Sequence, residues 1–347
     1  MNNKKFELGV YSFGNTPRKA DGTYLSTAQA IRNALEAVKL AEDVGLDYFG
    51  FGEHHTNSMP ISSPASMVVA AVASTSRIKV GTAVTVLSTE EPIRLYQQLS
   101  TAAAIAPGRV DIVAGRGSSD ITFSLFDLNE NNYDLLFNSK FEMLLHLNNN
   151  ERITWNGRHR SKGLNDMLIV PKPDDALKIW LGTGGSSNSV LRAAELGVPL
   201  FLGILGGTPD HWARYGAAYR DAWLASEHPE EQADIGVAVH GFVAENDKEA
   251  KKIYLEYEGQ MFVTGSAEIG RSMGRPPGRA ADLEYGMVFA GSPENVAERI
   301  IELHRLLGHS RQILQMDVGG MPHDIFLKSI ELLGSKVLPI VRDRLSS

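Results

Sequence analysis

The chain has 347 residues, 43% of them hydrophobic and 22% charged, with no cysteine. That composition excludes a disordered chain, a collagen-like repeat, a disulfide scaffold, thiolate metal sites and thiol catalysis. A net charge of −7, from 34 basic and 41 acidic residues, argues against a dedicated binder of nucleic acid or of an acidic membrane.

The first residues, Met1-Asn2-Asn3-Lys4-Lys5, lead straight into Phe6-Glu7-Leu8-Gly9-Val10 with no apolar signal core, so a cytoplasmic location is expected. No apolar run reaches the roughly 18 residues that would span a bilayer. Leu8–Phe13 reads as a strand, and Thr27–Val44 as a helix with Ile31, Leu35, Val38 and Leu40 on a helical repeat. Asp47–Gly52 is the second strand, followed by a helix of small residues near Pro64–Ser74. Arg77–Leu87 and Pro92–Ala106 make the third pair, and Val110–Ala114 with Tyr133–Leu147 the fourth. Leu177–Leu181 with Val190–Leu196, Pro199–Leu205 with Asp210–Leu224, and Ile235–Val243 with Lys248–Tyr257 follow. A helix over Pro293–Leu307, a strand over Gln312–Val318 and a terminal helix from about His323 to Val341 complete the pattern. Eight strands, nearly each followed by a helix, predict a parallel sheet closed as a single (β/α)8 TIM barrel over residues 1–347. An open doubly wound sheet is the alternative, but no dinucleotide loop marks its first turn. Two insertions interrupt the rhythm, at 148–176 and at 264–291, the second rich in glycine and proline and expected to be an irregular, mobile lid.

A barrel of this kind carries its site where the strands end. Strand two ends in Glu53-His54-His55. On a two-residue period Tyr48, Gly50, Gly52 and His54 share one face, while Phe49, Phe51, Glu53 and His55 share the other. The glycine face suits the barrel interior, which points His54 into the mouth; a pair of strand-end histidines satisfied by ordinary hydrogen bonds is the competing reading. Strand three repeats the device with Gly81, Ala83 and Thr85. Strand four ends in Gly115-Arg116-Gly117, where an arginine between glycines suits an anion; a turn arginine on the surface is the simpler alternative. Strand five runs into Gly182-Thr183-Gly184-Gly185-Ser186-Ser187-Asn188-Ser189 and then a helix, a cradle of backbone N–H groups and hydroxyls suited to phosphate, or else an ordinary helix cap. His240 faces either the pocket or the core. Glu90-Glu91 is expected to open the third helix, and most of the remaining histidines are expected at the surface.

These residues, in this order, resemble the bacterial luciferase-like family of flavin-dependent monooxygenases across nearly the whole chain. The resemblance rests on Ala41-Glu42 and Gly45-Leu46-Asp47 leading to Glu53-His54-His55, and on Val80-Gly81-Thr82-Ala83-Val84. It continues with Gly108-Arg109-Val110 leading to Gly115-Arg116-Gly117, and with Ile179-Trp180, Gly184-Gly185-Ser186 and Ala194-Glu195-Leu196-Gly197-Val198-Pro199. It implies an enzyme, a flavoprotein oxidoreductase that takes reduced FMN from a separate NAD(P)H:flavin reductase and uses O2 to oxidise a small organic substrate. His54 matches the catalytic histidine. Ala83 and Val84 match a non-prolyl cis peptide under the flavin ring. Gly115, Arg116, Gly184, Gly185, Ser186 and Ser189 match positions around the cofactor, with no metal. Gly115 stands where the luciferases carry a reactive cysteine, and Asp134 where they place a second phosphate-binding arginine, which counts against light emission. An F420-dependent dehydrogenase of the same fold and a non-catalytic flavin-binding subunit are the alternatives. The nearly uncharged second helix, with the Thr101–Ala106 stretch of the third, predicts a homodimer through this region.

Overall fold

The computed structural model describes residues 5–19, 21–117, 120–128, 133–157, 160–268 and 283–346. Runs rich in Val, Ile and Phe form the strands β1 (Glu7–Ser12), β2 (Tyr48–Phe51), β3 (Lys79–Thr82), β4 (Thr85–Val86) and β5 (Val110–Gly115). They are joined by β8 (Lys178–Thr183), β9 (Leu200–Ile204), β10 (Ile235–Val243) and β12 (Arg311–Gln315). Every pairing among these is parallel, in the order β1, β2, β3, β5, β8, β9, β10, β12, and Val10 opposite Leu314 returns the sheet to β1. With helices between the strands this is a closed (β/α)8 TIM barrel.

The helices are α1 (Thr27–Asp43), α2 (Pro64–Ala73), α3 (Pro92–Ile105), α4 (Asp120–Leu125), α5 (Tyr133–Asn149) and α6 (Ser187–Glu195). After them come α7 (Pro209–Ala225), α8 (Asp247–Glu268), α9 (Pro293–Leu307), α10 (His323–Leu332) and α11 (Leu338–Ser346). Ser26, Glu91, Ser186, Thr208 and Ser292 cap helix starts by accepting a backbone N–H. Outward strand residues such as Val10, Phe49, Phe51, Val80 and Val237 pack against these helices, each worth about 1.5–3 kcal/mol of burial.

The elements differ from their sequence patterns in five places. The predicted third strand splits into β3 and β4, and the cis peptide between Ala83 and Val84 lies at the break. The first insertion carries an antiparallel hairpin, β6 (Arg152–Trp155) with β7 (Leu164–Leu168). The seventh helix runs on to Glu268, so only 269–282 of the expected lid fall outside the described residues. A further strand, β11 (Val288–Gly291), pairs with the upper half of β10. The terminal helix is broken by a π-helical turn at Leu333–Val337. His309 is an exception to the surface histidines: it is fully buried against Gln312.

The barrel interior holds Tyr11, Tyr48, Ala83, Val113, Trp180, Phe201, Ala238 and Ile313. Below them, where the strands begin, lies a charged floor. Arg311 bonds Asp111 at 2.5 Å and Glu7 at 2.7 Å, with its guanidinium 4.0 Å above the Tyr48 ring and 5.0 Å from Trp180. Lys79 reaches Glu7 at 2.6 Å, and the Trp180 indole N–H donates to Asp111. Burial opposes every one of these charges. Arg311 outweighs it, holding Glu7 and Asp111 below the usual carboxylate range, while the two carboxylates push Arg311 up. No helix among the described residues is long and apolar enough to cross a membrane.

Candidate active site

The opposite end of the barrel is built differently. On β2 the inward series Tyr48, Gly50, Gly52 continues to His54, because Phe49 and Phe51 turn outward into the helix layer. A side chain on Gly50 would strike Ala83, and one on Gly52 would strike Phe13 and the Ala83 carbonyl. Both must be glycine for β1, β2 and the Ala83–Val84 segment to meet. The His54 ring lies edge-on to Phe13, 4.6 Å between centroids. The His54 backbone N–H donates to the Ile61 carbonyl at 2.9 Å, which fixes the turn that follows. Burial, assisted by the neighbouring His55, lowers its pKa to about 4, so His54 is a neutral imidazole at neutral pH.

Opposite this wall the strands carry glycine. A Cβ on Gly184 would meet only the Gly203 carbonyl oxygen and one on Gly203 only the Thr183 carbonyl oxygen, each at 3.8 Å, so a side chain has room at both. At Gly115 and Gly182 the space is taken by the Val84 side chain. Val84 therefore fills the place a cysteine at position 115 would need.

The register Ala114 to Leu181 sets the strand ends at Arg116 and Thr183 side by side. Beyond Thr183 the chain turns at Gly185, whose φ of +104° suits glycine, and the Tyr215 hydroxyl donates to its carbonyl at 2.8 Å. Ser186 then caps α6, its hydroxyl accepting from the N–H of Ser189, and Ser189 is buried. The helix start and Arg116 form an electropositive corner. Arg116 also carries an ion pair, 2.5 Å to Asp134 on α5, and two-thirds of the Asp134 side chain is exposed. An anion bound here would have to displace or share that carboxylate.

Other groups escaped the sequence reading. Glu53, on the face away from His54, is completely enclosed and accepts hydrogen bonds from the Val86 N–H at 2.7 Å and the Thr85 hydroxyl at 3.4 Å. Its other oxygen meets His55 Nε2 at 3.0 Å. Burial raises the Glu53 pKa. Of the Glu90-Glu91 pair only Glu91 caps α3; Glu90 turns inward toward Glu53 and Lys140, and burial raises its pKa. Lys140 donates to the Ser88 carbonyl at 2.6 Å, and burial lowers its pKa to about 8. The spacing of Glu53 and His55 on one strand face was the available clue. His240 lies on the inward face of β10, and its Nδ1 meets the Tyr254 hydroxyl at 3.1 Å, which in turn donates to Glu258 at 2.8 Å.

Tyr254 and Glu258 belong to α8, whose far half lies across the mouth. Its Thr264 hydroxyl accepts from Arg18, and its Glu268 accepts from the Ser58 N–H at 2.9 Å. The first five residues of the predicted lid, 264–268, are thus the end of this helical roof. Arg271, Arg275 and Arg279, which the sequence offers as a solvated basic loop or as a lid touching an anionic ligand, lie outside the described residues. No cluster of metal-binding side chains occurs among the described residues.

The profile of a family described as luciferase-like monooxygenase matches residues 12–310. The chain is 26% identical to an N-acetyl-S-alkylcysteine monooxygenase of Bacillus subtilis (strain 168) over 297 residues, 82% of this chain and 85% of that one. Among solved structures it superposes on monooxygenase RslO1 of Streptomyces bottropensis with a TM-score of 0.82 at 21% identity, covering 96% of this chain and 99% of that one. The oxygenating constituent of 3,6-diketocamphane monooxygenase of Pseudomonas putida, solved in complex with FMN, gives 0.76 at 20% identity over 96% and 98%. An F420-dependent secondary alcohol dehydrogenase, in complex with an F420–acetone adduct, gives 0.76 at 16% identity over 98% and 100%. These structures share the barrel.

Proposed function

The chain belongs to the luciferase-like monooxygenase family, and we propose that it is an FMN-dependent monooxygenase of a two-component system. The observation that carries this reading is the mouth itself. A neutral, inward His54 and the cis Ala83–Val84 segment face an open glycine wall, and an electropositive helix start stands at one corner. The donor set there fits a phosphorylated, planar cofactor: backbone and hydroxyl groups with one arginine for the phosphate, small side chains for a ring. Arg116, Gly184, Gly185, Ser186 and Ser189 would hold the phosphate end; Gly115, Ala83 and Val84 would lie along the ring. When bound, reduced FMN supplies the electrons for O2 and the oxidising chemistry.

The protein's own contribution is placement, exclusion of water and a proton. His54, uncharged at neutral pH, accepts or returns a proton at a ring nitrogen within the mouth. The α8 roof keeps water from the reaction. Leu125 at the end of α4, Phe126 just after it, Leu135 in the first turn of α5 and Leu205 just after β9 are exposed and make an apolar rim, which suits a small organic substrate of low polarity. The chain would work in the cytoplasm beside an NAD(P)H:flavin reductase. The exposed strip of Ser66, Ala73, Thr101, Ala104 and Ile105 along α2 and α3 supports a homodimer, which sedimentation at micromolar concentration tests.

The test of function is oxygen uptake with FMN, NAD(P)H, a flavin reductase and a panel of apolar ketones, thioethers and aldehydes. The reading expects substrate-dependent oxygenated product. Binding of F420 with hydride transfer and no oxygen uptake would replace it with the dehydrogenase reading; bound FMN without turnover of any substrate would leave a flavin-binding subunit.

A further inference from the structure

The three parts of the proposed site sit on separate strand ends. The backbone ladder between β2 and β3 stops at Phe51 opposite Thr82, with a last bond from the Ala83 N–H to the Phe51 carbonyl at 2.6 Å. Beyond that point the chain passes through the cis peptide and resumes as β4, which pairs with β5 and no longer with β2. One side chain takes over from the lost ladder. Glu53 follows Gly52 on the β2 end and accepts from the Val86 N–H at 2.7 Å and the Thr85 hydroxyl at 3.4 Å. The tie runs from one residue before His54 on one strand to one and two residues past Val84 on the other.

The carboxylate has no freedom to move. Its second oxygen meets His55 Nε2 at 3.0 Å, and the His55 ring is itself buried and set edge-on to Phe126 at 5.3 Å. The tie extends to the third part of the site: the Ser88 hydroxyl, two residues past Val86, donates to the Arg116 carbonyl at 2.8 Å, and Lys140 closes on the Ser88 carbonyl from α5. We propose that Glu53, locked by His55, is a positioning residue that fixes the distance between His54 and the Ala83–Val84 shelf. This rests on the flavin-dependent reading above and adds to it a residue that touches neither cofactor nor substrate. A displacement of His54 of the order of 1 Å lowers turnover by about 10²-fold, so one carboxylate hidden behind the mouth commands the rate from outside it.

The experiment compares Glu53→Ala, Glu53→Gln and wild type for three quantities: FMN affinity by fluorescence quenching, the visible circular dichroism of bound FMN, and kcat and KM for an oxidised substrate. Glu53→Ala is expected to bind FMN within about threefold of wild type, to change the flavin dichroism, and to lose about 10²-fold in kcat with little change in KM. Glu53→Gln, whose amide oxygen still accepts from Val86, is expected to restore both dichroism and kcat to within about tenfold. If Glu53→Ala does not fold, His55→Leu carries the comparison, with the same change in dichroism and a kcat loss of about tenfold. A folded variant with wild-type dichroism and kcat overturns the proposal. So does a kcat loss that Glu53→Gln does not relieve. A wild-type chain that binds no FMN overturns the functional reading instead.

Discussion

The two ends of the barrel solve the problem of an enclosed interior in opposite ways. At the floor the space is crowded: a Cβ on Gly81 would lie 2.2 Å from the Tyr48 hydroxyl, and Arg311, Asp111, Glu7 and Trp180 interlock beneath it. At the mouth the glycines Gly184 and Gly203 stand against empty space, and the nearest charges are held behind the wall or at its corner. Gly81 is required because no side chain fits, and at the mouth Gly50 and Gly52 are required for the same reason, whereas Gly184 and Gly203 leave room beside them. Only those last two mark open space, at the end where a barrel carries its site.

The largest effect that would test this contrast comes from the floor. Arg311→Ala leaves Asp111 buried without its cation and Glu7 with Lys79 alone, and is expected to cost about 3–5 kcal/mol of stability in urea unfolding while leaving FMN affinity of the folded fraction unchanged. Because Arg311 holds both carboxylates low, this contribution is complete above about pH 5, beyond their unfolded values, and is lost as pH falls through their folded values. An equal loss of FMN affinity would mean that the two ends are not independent.

The mirror image is His54→Ala, expected to lower substrate oxidation by about 10²–10⁴-fold with unfolding little changed. With a folded pKa of about 4, His54 stays neutral as pH falls from 8 to about 5, and its acid limb in kcat/KM belongs near pH 4. A limb centred at 6.5 or higher, absent from the alanine variant, would show an exposed and charged histidine instead. If His55→Ala is inactive while His54→Ala turns over normally, the strand faces are assigned the wrong way round.

How far the sequence carried depended on the range of the interaction. The barrel was legible because each strand and helix declares its own period, and the inward face of β2 because Tyr48, Gly50, Gly52 and His54 alternate with phenylalanines. The resemblance pointed to Ala83–Val84, a local feature. What was not legible lay across long separations: Glu53 to Val86, Arg311 to Glu7 and Asp111, Asp134 against Arg116. Such pairings form only once the sheet closes. The α8 roof was cut short for the opposite reason, since the glycine- and proline-rich stretch from 264 reads as irregular although tertiary contacts carry the helix through to Glu268.

Smaller effects sharpen the comparison. Arg116→Ala is expected to weaken FMN binding by about 1.5–3 kcal/mol, the scale of a hydrogen bond to a charged group, and riboflavin binding hardly at all. Equal losses for the two ligands would move the phosphate away from this corner. Smallest of all is the contrast of two alanines. Gly81→Ala is expected to cost about 1–3 kcal/mol of stability through overpacking at the floor. Gly203→Ala, whose nearest neighbour is an ordinary contact away, is expected to stay within about 0.5 kcal/mol. Similar costs at both positions would remove the distinction between crowded and open glycines.

The most direct test of the central claim is a crystal structure of the protein with FMN. The account predicts flavin in the mouth, its phosphate at Arg116 and the start of α6, and its ring between the Ala83–Val84 segment and the wall of Gly184 and Gly203, within reach of His54. Flavin seated anywhere else on the molecule, or a mouth still vacant at saturating FMN, would contradict it.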